Sequence, residues 1–150
     1  MPTITPFLWF DAQAEEAMNF YGSIFKSSKV LNVHRAQDRV MFVEFELQGQ
    51  RFMGLNAGPH HKFNEAVSFF VKVDTQQEVD DLWSKLTAGG GAPGQCGWLK
   101  DKYGLSWQII PETLTRLMGG PDRAGAQRVV EAMMGMTKLD VAQLQRAYDG

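Results

Sequence analysis

The 150-residue chain has a single cysteine, Cys96, so no internal disulfide framework can hold it together, and a reducing cytoplasm is the expected setting. Long hydrophobic runs are missing as well. The longest, Val67 to Val71 with Ser68 inside it, is far short of the ~20 residues that cross a bilayer. Neither sign of charge dominates: 15 Lys and Arg against 17 Asp and Glu leave −2, which gives nucleic acid and anionic membranes little to respond to. Met1-Pro2-Thr3-Ile4-Thr5 has no basic stretch leading into an apolar one, so no export signal is expected. What the chain does have is an apolar fraction of 44% with 11% aromatics, enough to exclude disorder and build a core.

Ile4 to Phe10 reads as a strand, with Pro6 tolerable near its start. Asp11 is a helix N-cap candidate, with Glu15 and Glu16 placed to favour the helix dipole. Ala14, Ala17, Met18, Tyr21, Ile24 and Phe25 follow at helical spacing. Ser27-Ser28 breaks that helix. Val30 to Arg35 and Val40 to Leu47 alternate like a hairpin, Gln48-Gly49 is a turn, and Gln50 to Leu55 is a further strand. After Asn56-Ala57-Gly58-Pro59 and a loop carrying His60, His61 and Lys62, the pattern restarts. Ala66 to Val73 predicts a strand. Thr75 with Glu78 forms a capping box, and Val79, Leu82, Trp83 and Leu86 form a buried stripe that Gly89-Gly90-Gly91 ends. Cys96 to Asp101 and Leu105 to Ile110 predict a closing hairpin that turns at Lys102-Tyr103-Gly104.

The two halves superpose. Glu16-Ala17 and Phe20-Tyr21 fall on Glu78-Val79 and Leu82-Trp83 at an offset of 62 (78 − 16), which also brings Ile4–Phe10 onto Ala66–Lys72. Gly49 falls on Gly104 at 55 (104 − 49), so the second half has a shorter middle hairpin. Two consecutive β-α-β-β-β modules are therefore expected in an α+β fold with a cupped mixed sheet, followed by helices. The expected organisation is one domain over 1–150, with modules at about 3–57 and 65–111 and a helical extension at about 112–150. In that extension Thr113, Leu114, Leu117 and Met118 predict a short helix ended by Gly119-Gly120. Pro121 stands at a first helical position, ahead of a stripe of Ala126, Val129, Val130, Met133 and Met134. Asp140 with Gln143 reads as a capping box, and Leu139 with Leu144 as a hydrophobic staple.

Paired modules of this length resemble the vicinal oxygen chelate superfamily of glyoxalase I, bleomycin-resistance proteins and extradiol dioxygenases. Within it the chain is similar to the PhnB-like, or 3-demethylubiquinone-9 3-methyltransferase-like, group. The residues that carry the resemblance are Ile4 to Phe10 with Ala14-Glu15-Glu16-Ala17 and Phe20-Tyr21, Phe52 to Pro59, and Cys96 to Gln108. With the C-terminal helices, the similarity is expected to span nearly the whole chain. It implies a metal position on the first and last strand of each module, which by this alignment are Pro6, Met53, Ser68 and Gln108. None is a His, Asp or Glu, so no metal and no other cofactor is expected.

If Ser68 and Gln108 face the cup, strand alternation places Pro6, Leu8, Met53, Leu55, Phe70, Ser106 and Ile110 with them, and Trp9, Phe69, Trp107 and Ile109 toward the helices. A mostly apolar cup with a few neutral polar groups suits a small, weakly polar organic ligand, unless those side chains simply fill a core. His60, His61 and Glu44 are candidate acid or base groups at the rim, against a plainer reading as exposed loop and strand residues. His34 and Glu46 are open in the same way, and Cys96 reads as structural. No catalytic residue is assigned. The expectation is a metal-free small-molecule-binding protein. The alternative is a metal-dependent lyase, isomerase or oxygenase that recruits a divalent ion through His60, His61 or Glu44. Methyl transfer is a distant third, because Gly89-Gly90-Gly91 follows a helix where a cofactor-binding turn follows a strand. The superfamily implies a homodimer; no nucleic-acid or membrane partner is expected.

Overall fold

A computed structural model provides all 150 residues, which divide into two compact units, 1–62 and 63–150. The first contains β1 (Phe7–Phe10), α1 (Ala14–Ile24), β2 (Ser28–Ala36), β3 (Arg39–Leu47) and β4 (Gln50–Asn56). The second contains β5 (Ser68–Val73), α2 (Gln76–Thr87), β6 (Ala92–Pro93), β7 (Trp98–Lys100), β8 (Ser106–Pro111), α3 (Glu112–Met118), α4 (Arg123–Met134) and α5 (Val141–Asp149). Their sheets run β1-β4-β3-β2 and β5-β8-β7-β6, with the first strand parallel to the last and the remaining pairs antiparallel. The β-α-β-β-β repeat is therefore present twice, with one topology.

In the first unit Val43, Phe45, Leu47 and Phe52 are buried beneath Ala14, Ala17, Met18, Tyr21 and Ile24 of α1. Gly54 lies at the closest approach, since a Cβ there would meet Val43, Phe10 and Ala14 at 3.2–3.6 Å. The hairpins close through Gln37-Asp38 and Gln48-Gly49, all at positive φ, the two-residue turn that suits strand twist. Asp11 does not cap α1. The cap position is Gln13, whose side chain makes no capping bond. Instead the Ala14 amide donates to Asn56 Oδ1 at 2.8 Å, and Asn56 Nδ2 donates to the Val40 carbonyl at 3.1 Å. A residue 42 positions away thus satisfies a helix start, which a local capping pattern cannot reveal.

In the second unit Val79, Trp83 and Leu86 of α2 are buried with Leu99, Trp107 and Ile109, and Leu82 is half-buried. The capping box is complete: the Glu78 amide donates to Thr75 Oγ1 and the Thr75 amide to Glu78 Oε1. The β7–β8 turn is fixed by Asp101, only 2% exposed. Its carboxylate accepts from the Tyr103 and Leu105 amides and from Trp107 Nε1 at 2.9–3.1 Å.

The C-terminal helices gather Leu114, Leu117, Val129, Met136, Leu139 and Leu144 around Ile110 of β8. Asp122 caps α4, accepting from the Gly125 amide at 3.0 Å, so Pro121 precedes the helix instead of taking its first position. Met134 is 65% exposed, outside the expected stripe. Asp140 caps α5, but the Gln143 side chain turns to the Asp140 carboxylate, so the box is only half formed. The segment before α5 also extends the sheet edge, since the Cys96 and Gly97 amides donate to the Met136 and Thr137 carbonyls at 2.8 Å.

Candidate functional site

Register decides which side chains lie on the sheet face away from each helix. In the second unit Ser68 pairs with Ser106 and Phe70 with Gln108, while Trp98 and Lys100 of β7 pair with Gln108 and Ser106. These residues alternate with the buried, helix-facing Trp107 and Ile109. Gln108 Nε2 donates to Ser68 Oγ at 3.0 Å. Ser106 Oγ beside them is buried with no hydrogen-bond partner, which is costly for a hydroxyl. Phe70 is 57% exposed. Lys100 pairs with Glu65, and that hydrogen bond and charge hold the Glu65 carboxyl below its ordinary range. Ile110, expected on the same face, is covered by the C-terminal helices.

In the first unit Phe7 pairs with Met53 and Trp9 with Leu55, so these four share the face away from α1. Leu8 pairs with Gly54 on the helix side and is 6% exposed. The expected orientations of Leu8 and Trp9 are therefore reversed, and Pro6 lies out of phase with Met53. The cause is one residue of connection. Matching Met53 to Gln108 makes Phe7 the counterpart of Phe70, an offset of 63 (70 − 7), whereas Tyr21 and Trp83 of the helices keep 62 (83 − 21). Three residues, Asp11-Ala12-Gln13, join β1 to α1, but only two, Asp74-Thr75, join β5 to α2. A one-residue slip flips every side chain of a strand. Aligning strand and helix separately would have exposed it.

Trp9 is the residue that sequence reasoning missed. Its Nε1 donates to the Gly58 carbonyl at 2.9 Å, and His61 and His60 meet its ring edge-on at 4.7 and 6.5 Å. His60 and His61 are thus gathered at the face, exposed as expected. Glu44 is half-buried on that face, beside Met53 and Asn32.

The positions at which the superfamily binds metal do not fit a divalent ion. Ser68 and Gln108 are bonded to each other, Met53 offers a thioether, and the corrected counterpart of Ser68 is Thr5 (68 − 63). No three His, Cys, Asp or Glu side chains are gathered to hold an ion.

The family model for 3-demethylubiquinone-9 3-methyltransferase matches residues 2–110. The chain belongs to that PhnB-like family. A PhnB protein from Bacillus cereus carrying the same methyltransferase label is 35% identical, with a TM-score of 0.68 over 73% of this chain and 99% of its own. A Pseudomonas aeruginosa protein at 18% identity (TM-score 0.61, 74% of this chain, 98% of its own) and a glyoxylase/bleomycin resistance protein/dioxygenase domain from Frankia at 14% (0.51, 74% and 92%) share the fold. No curated protein matches the chain. The family match stops at β8, so the expected span over nearly the whole chain is corrected: α3–α5 lie outside it.

The family's label implies S-adenosylmethionine, and the glycine run does not fit that cofactor. Gly89-Gly90-Gly91 follows α2, and a Cβ on Gly91 would meet the Lys100 and Thr87 carbonyls at 2.6 and 2.8 Å. Gly91 is packed against protein backbone, and Gly89 and Gly90 lie against the Lys102 side chain. No helix is long and apolar enough to cross a membrane.

Proposed function

We propose that this PhnB-like protein binds a small, weakly polar organic molecule without a metal ion, on the sheet faces away from its helices. The observation that carries the reading is the Ser68–Gln108 pair. Where the superfamily places metal ligands, two neutral side chains satisfy each other. Beside them Phe70 is more than half exposed and Ser106 Oγ has no partner. An exposed apolar side chain beside neutral polar groups suits a ligand that brings hydrocarbon and one polar atom. Met53 and Leu55 serve the same purpose on the first unit. The same reading makes the protein a cytoplasmic homodimer, with Phe7 at 53% exposure and Val67 at 63% among the residues available for contact.

Native mass spectrometry of gently purified protein tests the binding reading. The expected result is an organic adduct that leaves on denaturation and whose occupancy falls in Phe70→Ser. Turnover of a substrate, lost on chelation, would contradict it and return the metal-dependent enzyme. Light scattering at twice the chain mass is expected, and a monomer at all concentrations would remove the dimer.

A further inference from the structure

The first unit carries a row of three rings and one leucine across its sheet. His34 pairs with Phe42, Phe42 with Leu55, and Leu55 with Trp9, so one row crosses all four strands on the face away from α1. His34 stacks on Phe42 at 4.9 Å and 18°, and His61 closes the other end against Trp9. The Trp9 ring cannot swing freely, because its Nε1 is bonded to Gly58. Adjacent strands lie about 4.8 Å apart, so Trp9 and Phe42, with β4 between them, stand about 10 Å apart across Leu55. Glu44 follows Phe42 on the same face, about 7 Å along β3. Its neighbour Glu46 is paired with Lys29, but no hydrogen bond or ion pair engages Glu44. A half-buried carboxylate accepts hydrogen bonds, repels anions and has nothing here to accept from.

We propose that this row is a slot for a planar aromatic molecule with one hydrogen-bond donor. Trp9 and Phe42 form its walls, Leu55 its floor, and the Glu44 carboxylate accepts from the donor. Aromatic walls favour a ring partner in stacked or edge-on contact, and the carboxylate selects a phenol or arylamine over an ether or an acid. This rests on the binding reading above and assigns both its ligand class and the unit that recognises it.

The test is titration of the full-length protein with 2-naphthol, 2-methoxynaphthalene and 2-naphthoate by calorimetry. The expected order is 2-naphthol tightest, by about tenfold over the methyl ether, as a hydrogen bond to a charged acceptor supplies, with 2-naphthoate weakest. Glu44→Gln should bring naphthol and ether within about threefold, because it removes the charge. Leu55→Phe should block all three by filling the floor; Trp9→Phe, which keeps a ring, guards against a folding artefact and should weaken naphthol and ether alike. Equal affinity for naphthol and ether in the unaltered protein overturns the proposal. So does naphthol binding lost in Phe70→Ser but kept in the Trp9, Leu55 and Glu44 variants, a result that leaves the binding reading standing. A change from dimer to monomer in Trp9→Phe, with no probe bound, also overturns it and makes the row a subunit contact.

Discussion

The two units share a topology and differ in almost everything laid over it. The first has a nine-residue middle hairpin on each arm, β2 and β3, while the second reduces the same hairpin to two and three residues, β6 and β7. The long hairpin supports itself by its own ladder. The short one is supported from outside, because the Cys96 and Gly97 amides bond to the segment before α5, and Ile110 is covered by the C-terminal helices. The faces away from the helices differ too: one carries an unpaired Glu44 among Trp9, Phe42 and His34, the other a Ser68–Gln108 pair among Phe70, Trp98 and the Glu65-paired Lys100. The shared part is what apolar periodicity and the parallel first-to-last strand pairing require. Edge support and face chemistry are free to diverge, and the proposed binding is placed on those faces.

The largest effect should come from Asp101, because nothing in the first unit's Gln48-Gly49 turn matches its three hydrogen bonds. Asp101→Ala leaves buried donors unpaired, and urea unfolding should show a loss of about 3 kcal/mol or more, whereas Gln48→Ala should lie within about 0.5 kcal/mol of the parent. Next comes the external support of the short hairpin. Leu139, fully buried against Ile110, should cost about 3 kcal/mol on truncation to Ala, and amide exchange at Cys96 and Gly97 should rise with it. Exchange unchanged there would mean that the hairpin stands alone.

The two helix starts sharpen the contrast. Asn56→Ala removes both a helix cap and a strand contact and should cost about 2 kcal/mol, against about 1 kcal/mol for Thr75→Ala in the exposed capping box. Equal costs would undo the distinction between a tertiary and a local cap. The smallest effect is electrostatic and belongs to the second unit. Hydrogen bonds from Lys138 and then Gln76 hold the Asp80 carboxyl below its ordinary value. A depressed carboxyl contributes stability above its unfolded pKa and loses it as pH falls through the folded one, so this contribution fades below about pH 4. Lys138→Met should raise the Asp80 pKa in an NMR titration; an unmoved pKa would show that the pair does not persist in solution.

Much of this fold was legible in the sequence because periodicity is a local signal. The α1 and α2 stripes, the Thr75–Glu78 box and the Gly49 and Gly104 turns all follow from neighbouring residues. What escaped depends on distance or on counting single residues. Asn56 caps a helix from across the unit, β6 is two residues long, and the extra residue in Asp11-Ala12-Gln13 reversed Leu8 and Trp9. Of the candidate site, Met53 and Leu55 share one sheet face away from α1, and Ser68, Phe70, Ser106 and Gln108 share one away from α2. Trp9 was lost because a strand offset was borrowed from a helix.

The central claim, binding without a metal, is tested most directly by the metal content of untagged protein, measured by mass spectrometry before and after dialysis against a weak chelator. The account predicts well under one equivalent of zinc, iron, manganese or nickel in both samples, because Thr5, Met53, Ser68 and Gln108 offer no site that fits a divalent ion. One equivalent per chain that survives dialysis would contradict it and direct attention to His60, His61 and Glu44.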